Sequence, residues 1–143
     1  MADNSFRLHY DIDGEDFSVA GEASSNIKKV LKQLGVDPQI VRKVAVATYE
    51  GEINMVIHAD GGTIDVEITP DAVTMVLADR GPGIPDIPQA MQEGWSTASD
   101  KVRELGFGAG MGLPNMKKYT DEMKVQSVVG TGTTIEMVVY TKL

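Results

Sequence analysis

The chain has 143 residues, 42% of them hydrophobic, a formal net charge of −8 and no cysteine. That size and apolar content fit one globular domain over residues 1–143, with a single core. The acidic balance argues against a nucleic-acid partner, the absence of cysteine excludes disulfides and thiolate metal sites and fits a cytoplasmic protein, and no apolar run approaches the ~20 residues of a membrane span.

Residues Phe6 to Ile12 alternate (Phe6, Leu8, Tyr10, Ile12) and predict a strand. Asp13-Gly14 is a hairpin signal, with Phe17 to Ala20 as the returning strand. Ser24 or Ser25 is the expected cap of a helix through Leu34, which carries Ile27, Val30 and Leu31 at helical spacing and stops at Gly35. Asp37-Pro38 opens a second helix that runs to about His58 and is apolar around much of its girth. Gly51 inside it costs about 1 kcal/mol relative to Ala, which implies close packing or a nearby ligand.

Asp60-Gly61-Gly62 reads as a turn, Thr63 to Thr69 as a strand, Pro70-Asp71 as a turn and Ala72 to Ala78 as a strand that delivers Asp79 at its end. Residues Ile84 to Phe107 lack a long regular pattern apart from a candidate short helix near Pro88 to Gly94, as expected of a functional lid or a mobile segment. Gly112 to about Asp121 predicts a helix with Pro114 near its start. Met123 to Val129 and Thr133 to Thr141 predict strands joined at Gly130-Thr131-Gly132. The expected fold class is α+β, a two-layer α/β sandwich with a mostly antiparallel sheet and helices on one face.

Four polar patterns punctuate these elements. Glu50 and Asn54 are four apart and share a helix face. The carboxylate could take a proton from a hydroxyl or water, and the amide oxygen could ligate magnesium. A solvated helix face gives the same spacing, but this helix is otherwise apolar there, where a lone charge is costly. Asp79-Arg80-Gly81-Pro82-Gly83 places a carboxylate able to accept from the exocyclic amine of adenine beside glycines that let backbone approach a flat base; a plain strand-ending turn is the alternative. Gly106, Gly108, Gly110 and Gly112 precede a helix and suit anion binding, a hinge, or both. No Gly-Lys-Ser or Gly-Lys-Thr follows them, so this is not a P-loop. Gly130-Thr131-Gly132-Thr133 is equally compatible with a hairpin turn. His9 and His58 are too few and too far apart for a metal site, and Lys101 and Arg103 in the lid read as solvated charges.

In this order the four patterns resemble the ATPase superfamily of gyrase, Hsp90, histidine kinases and MutL, and within it the anti-sigma and switch serine/threonine kinases of bacterial partner-switching pathways. The resemblance implies the ATP-binding sandwich called the Bergerat fold. It implies Glu50 as catalytic base and Asn54 as magnesium ligand. Asp79, with Gly81, Gly83 and Ile84, corresponds to the first glycine box and the adenine contact. Gly108, Gly110, Met111, Gly112 and Leu113 correspond to the second glycine box, lid hinge and phosphate loop, and Thr133 to a support of the adenine pocket. The implied cofactors are ATP and magnesium. The implied partner is a small antagonist protein with a phosphorylatable serine, together with a sigma factor or a phosphatase. Kinases of this kind are often dimeric, so a homodimer is among the expectations. The alternative is a non-catalytic, ATP-gated regulatory module that sequesters a sigma factor or activates a phosphatase.

Overall fold

A computed structural model of the chain describes residues 5–13, 20–58, 61–81, 91 and 112–141. These form five strands, β1 (Phe6–Asp13), β2 (Gly61–Ile68), β3 (Ala72–Asp79), β4 (Glu122–Val128) and β5 (Gly132–Tyr140), and three helices, α1 (Glu22–Gln33), α2 (Pro38–His58) and α3 (Gly112–Lys118). The strands make one sheet in the order β1-β2-β3-β5-β4, and every described pairing is antiparallel. The α+β class and the two-layer arrangement expected from the chain are those observed.

Alternation in β2, β3 and β5 decides which face is buried. Ile64, Val66 and Ile68, then Val73, Met75 and Leu77, then Ile135, Met137 and Val139 all turn inward. Helix α2 lies against that face and touches β1, β2, β3 and β5, with α1 on one flank and α3 on the other. Its Ile40, Val41, Val44, Ala47, Met55 and Val56 are buried, because neighbours cover it on several sides. The opposite face carries polar cross-strand pairs. Arg7 meets Glu67 at 3.2 Å, and His9 Nδ1 meets Asp65 Oδ1 at 2.6 Å. Hydrogen bonds to Asp65 and then to Asp11, whose Oδ1 lies 3.2 Å from His9 Nε2, raise the His9 pKa above its ordinary value.

Asp37 caps α2 as expected, its Oδ1 accepting the Gln39 N–H at 2.8 Å. Gly35 ends α1 at φ 76, while the Gly35 N–H reaches Lys32 O and the Val36 N–H reaches Leu31 O, a Schellman arrangement.

Three expectations need correction. Helix α1 is not capped by Ser24 or Ser25: it begins at Glu22 after Gly21, and Ser24 lies inside the first turn with its Oγ donating to Gly21 O. Gly61 and Gly62 are not a turn but the first residues of β2, paired with Asp13 and Ile12 on one side, and Gly62 with Asp79 on the other. Helix α3 stops at Lys118, where Thr120 turns its Oγ1 back to Met116 O and β4 follows from Glu122. Of the expected returning strand only Ala20 is described, as a turn; the rest of it and the lid helix near Pro88 lie outside the described residues.

Candidate functional site

The meeting point of α2, β3 and α3 is Gly51. A Cβ on this glycine would overlap Leu77 Cδ2 of β3 and stand 3.5 Å from Met116 Sδ of α3. Only a residue without a side chain lets the three elements close to this distance, which accounts for a glycine in mid-helix despite its poor propensity.

That closeness sets Glu50 beside α3. Asn115 Nδ2 donates to Glu50 Oε1 at 3.3 Å. The carboxylate is half-buried, and burial pushes its pKa above the ordinary 4.5, with the Asn115 hydrogen bond pulling the other way. A carboxylate that holds a proton more readily than usual is a stronger general base once ionised. Asn54, one helical turn further on, is also half-buried. Among the described residues no group of three or more His, Cys, Asp or Glu could cage a metal ion. An amide oxygen with a carboxylate one turn away suits magnesium, which keeps several waters and takes its other oxygens from phosphates.

A second cluster forms at the end of β3. Asp79 Oδ1 accepts the Thr133 N–H at 2.9 Å. Burial raises the Asp79 pKa above its ordinary value, opposed by backbone hydrogen bonds from Thr133 and Gly81. The β5 backbone can come this near because residue 132 is glycine: its φ is 152, and a Cβ there would overlap Asp79 O. Thr133 is 5% exposed, and its Oγ1 lies 2.9 Å from Ser127 Oγ, which donates in turn to Gly132 O at 3.3 Å. Asp79 is thus a carboxylate held by two main-chain donors, with acceptor lone pairs left over that suit an N–H donor such as the exocyclic amine of adenine.

The structure joins Asp79, Gly81 and Thr133 directly. It brings Glu50 to α3, whose first residue is Gly112 and whose Leu113 is buried in the core. Leu77, two residues before Asp79 on the same strand face, touches the Gly51 position and so links the two clusters. Gly83, Ile84, Gly108, Gly110 and Met111 lie outside the described residues.

Three further residues have no local signal in the chain. Asn115 and Ser127 act across folded contacts; Ser127 could be anticipated only from the hairpin that pairs it with Thr133. Glu52, between Glu50 and Asn54, is 2% exposed and accepts the N–H groups of Gly21, Ala23 and Ser24 at 2.9, 3.1 and 3.0 Å.

A profile of the histidine kinase-like ATPase domain matches residues 16–139. The chain belongs to this family. It is 33% identical over 115 residues to the serine/threonine-protein kinase RsbT of Bacillus subtilis (strain 168), covering 78% of this chain and 80% of that one. It is 30% identical over 143 residues to an anti-sigma F factor of Clostridium beijerinckii, covering 94% and 93%. An anti-sigma F factor of Caldanaerobacter subterraneus is 33% identical over 112 residues, covering 73% and 75%.

Solved structures share the histidine kinase-like fold. The RsbU and RsbW domains of a Mycobacterium tuberculosis protein match with a TM-score of 0.63 at 16% identity, covering 94% of this chain and 31% of that one. The SiaB–SiaC complex of Pseudomonas aeruginosa matches with a TM-score of 0.64 at 12% identity, covering 92% and 88%. Membership of this ATPase family implies ATP as ligand, typically with magnesium.

Proposed function

We propose that the chain is an ATP- and magnesium-dependent serine/threonine protein kinase of the anti-sigma or switch type, acting in the cytoplasm on a serine of a small antagonist protein. The observation that carries this is Glu50: a half-buried carboxylate whose proton affinity is raised by burial, one helical turn from Asn54. A chain that only bound nucleotide would have no use for a base. The kinship with RsbT, named as a serine/threonine-protein kinase, points the same way.

In this mechanism Asp79 accepts a hydrogen bond from the adenine amine, and the N–H groups of Thr133 and Gly81 hold its carboxylate in place. Asn54 would hold the magnesium through its amide oxygen. When bound, magnesium ATP supplies the transferable phosphoryl group and the positive charge that offsets charge developing on it. Glu50 takes the proton that the acceptor serine loses as its oxygen bonds to the terminal phosphorus, and ADP departs with the cleaved bond's electron pair. The sigma factor, the phosphatase and homodimer formation belong to this proposal as candidate partners of the same surface.

The test is incubation of the purified protein with labelled ATP, magnesium and a small serine-bearing antagonist protein as candidate acceptor. Loss of a general base lowers rates by about 10²- to 10⁴-fold, so Glu50→Gln should label the acceptor at least a hundredfold more slowly. An unchanged rate defeats the assignment.

One observation favours a second reading. Relatives over most of the chain are named anti-sigma F factors, which suits an ATP-gated binding module for a sigma factor or phosphatase. Tight ATP binding with neither turnover nor phosphoprotein would select it.

A further inference from the structure

The hydrogen bond from Asn115 Nδ2 to Glu50 Oε1 ties α3 to the helix that bears the base, and it joins residues 65 positions apart in the chain. Asn115 occupies the fourth position of α3, directly after the glycine-rich run that ends at Gly112. Its neighbours Leu113 and Met116 are buried at 8% and 0% exposure, so α3 is anchored on the core and the amide projects from a fixed backbone. The Asn115 side chain is itself half-buried, as is Glu50.

A glutamate side chain has three rotatable bonds, and without a partner its carboxylate samples several orientations. A donor on one oxygen removes much of that freedom and leaves the other oxygen to face an acceptor hydroxyl. Proton abstraction is sensitive to such alignment, since a displacement of about 1 Å can cost roughly a hundredfold in rate. We propose that Asn115 is a positioning residue for phosphoryl transfer, holding the Glu50 carboxylate in the orientation from which it accepts the proton. The role rests on Glu50 being the base, and it adds a contribution from α3 that no local pattern in the chain announces. Because the donor stands on the helix that follows the glycine-rich run, a shift of α3 along α2 would misalign the base.

The experiment uses the full chain with magnesium ATP, water serving as the phosphoryl acceptor and ADP release as the readout. Asn115→Ala should lower kcat about tenfold and leave the KM for ATP within about twofold, because positioning acts on the chemical step. Asn115→Asp keeps the size of the side chain and sets a carboxylate against Glu50, so its kcat should fall further. In the Glu50→Gln background neither change should lower the remaining rate. An equal loss in both backgrounds, or a raised KM with unchanged kcat, overturns the positioning role. A second measurement needs no nucleotide: urea unfolding of the wild type, Asn115→Ala, Glu50→Ala (which removes the acceptor oxygen) and the double variant. A direct hydrogen bond predicts non-additivity of about fivefold in the unfolding equilibrium, and strict additivity overturns the proposal. A wild-type chain that binds ATP and neither releases ADP to water nor phosphorylates an acceptor serine removes Glu50 as base and this role together. Turnover without coupling removes the role of Asn115 alone.

Discussion

Glu50 and Glu52 are two residues apart on α2, and their surroundings differ in almost every respect. Glu52 faces α1, is 2% exposed, and accepts N–H groups from Gly21, Ala23 and Ser24. Glu50 faces α3, is half-buried, and has one amide donor, from Asn115. The α1 side thus satisfies its carboxylate fully with the free amides of a helix N-terminus, where the local dipole also favours negative charge. The α3 side leaves its carboxylate short of donors, and its pKa rises. One acid ties two helices together. The other stays half-buried with a raised pKa, a pattern common where a fold carries chemistry.

The largest effect on folding should follow from removing the satisfied acid. Glu52→Ala strands three main-chain donors, those of Ala23 and Ser24 in buried positions, and leaves a void between the helices. An unsatisfied buried donor costs about 1–3 kcal/mol, and water can recover part of that, so a net loss of about 3 kcal/mol in urea unfolding is expected. Glu52→Gln keeps one acceptor oxygen but turns an NH₂ toward donors, for a loss of about 2 kcal/mol. The identical change two residues earlier, Glu50→Gln, should barely move the unfolding midpoint. Equal destabilisation by the two glutamines would abolish the distinction between the two sides.

Gly51 stands between the two acids and provides the next test. Ala would gain about 1 kcal/mol in helix propensity. Its Cβ, however, would meet Leu77 Cδ2, and overpacking costs about 1–3 kcal/mol. A net loss of about 1 kcal/mol is expected for Gly51→Ala, because the clashing atom ends a flexible side chain, and more for Gly51→Val. If Gly51→Ala proves stabilising, the junction of α2, β3 and α3 is looser than its geometry implies.

Which of these features the chain discloses depends on how far apart the interacting groups lie. Alternation along β2 and β3 is local, and so are the Asp37-Pro38 start of α2 and the Gly35 stop of α1; all were legible. The start of α1 was not, since the serines Ser24 and Ser25 are plausible local caps whereas the actual acceptor, Glu52, lies 28 to 31 residues away. Gly61-Gly62 carries the composition of a turn, but strands pair on both sides of Gly62, and a Cβ there would overlap Ala78 O. Pairing overrode local preference, and glycine was needed for space. For the candidate site, the polar patterns pointed to Glu50, Asn54, Asp79 and Thr133, because side-chain chemistry is visible residue by residue. Their partners Asn115 and Ser127 were not, because ordinary polar residues acquire meaning only through the contact the fold creates.

The smallest effect concerns pH, and its sign separates these half-buried acids from a salt-bridged surface carboxylate. Both Glu50 and Asp79 have folded pKa values raised by burial. The folded chain therefore binds their protons more tightly than the unfolded chain does, and stability from this source is full below the ordinary values of 4.5 and 3.8 and is lost as pH rises through the raised ones. A salt-bridged carboxylate would give the reverse slope. Without nucleotide, Glu50→Gln should flatten this decline and leave the protein as stable as wild type at neutral pH or more so, by no more than about 0.5 kcal/mol after solvent screening. Asp79→Asn should act in the same direction but less cleanly, since an amide must still accept the Thr133 N–H through one oxygen. Urea midpoints between pH 4 and 8, taken on wild type and both variants, measure the difference in slope. A steeper decline in Glu50→Gln than in wild type would mean that α3 satisfies its acid as fully as α1 does, and the contrast between the two sides of α2 would be gone.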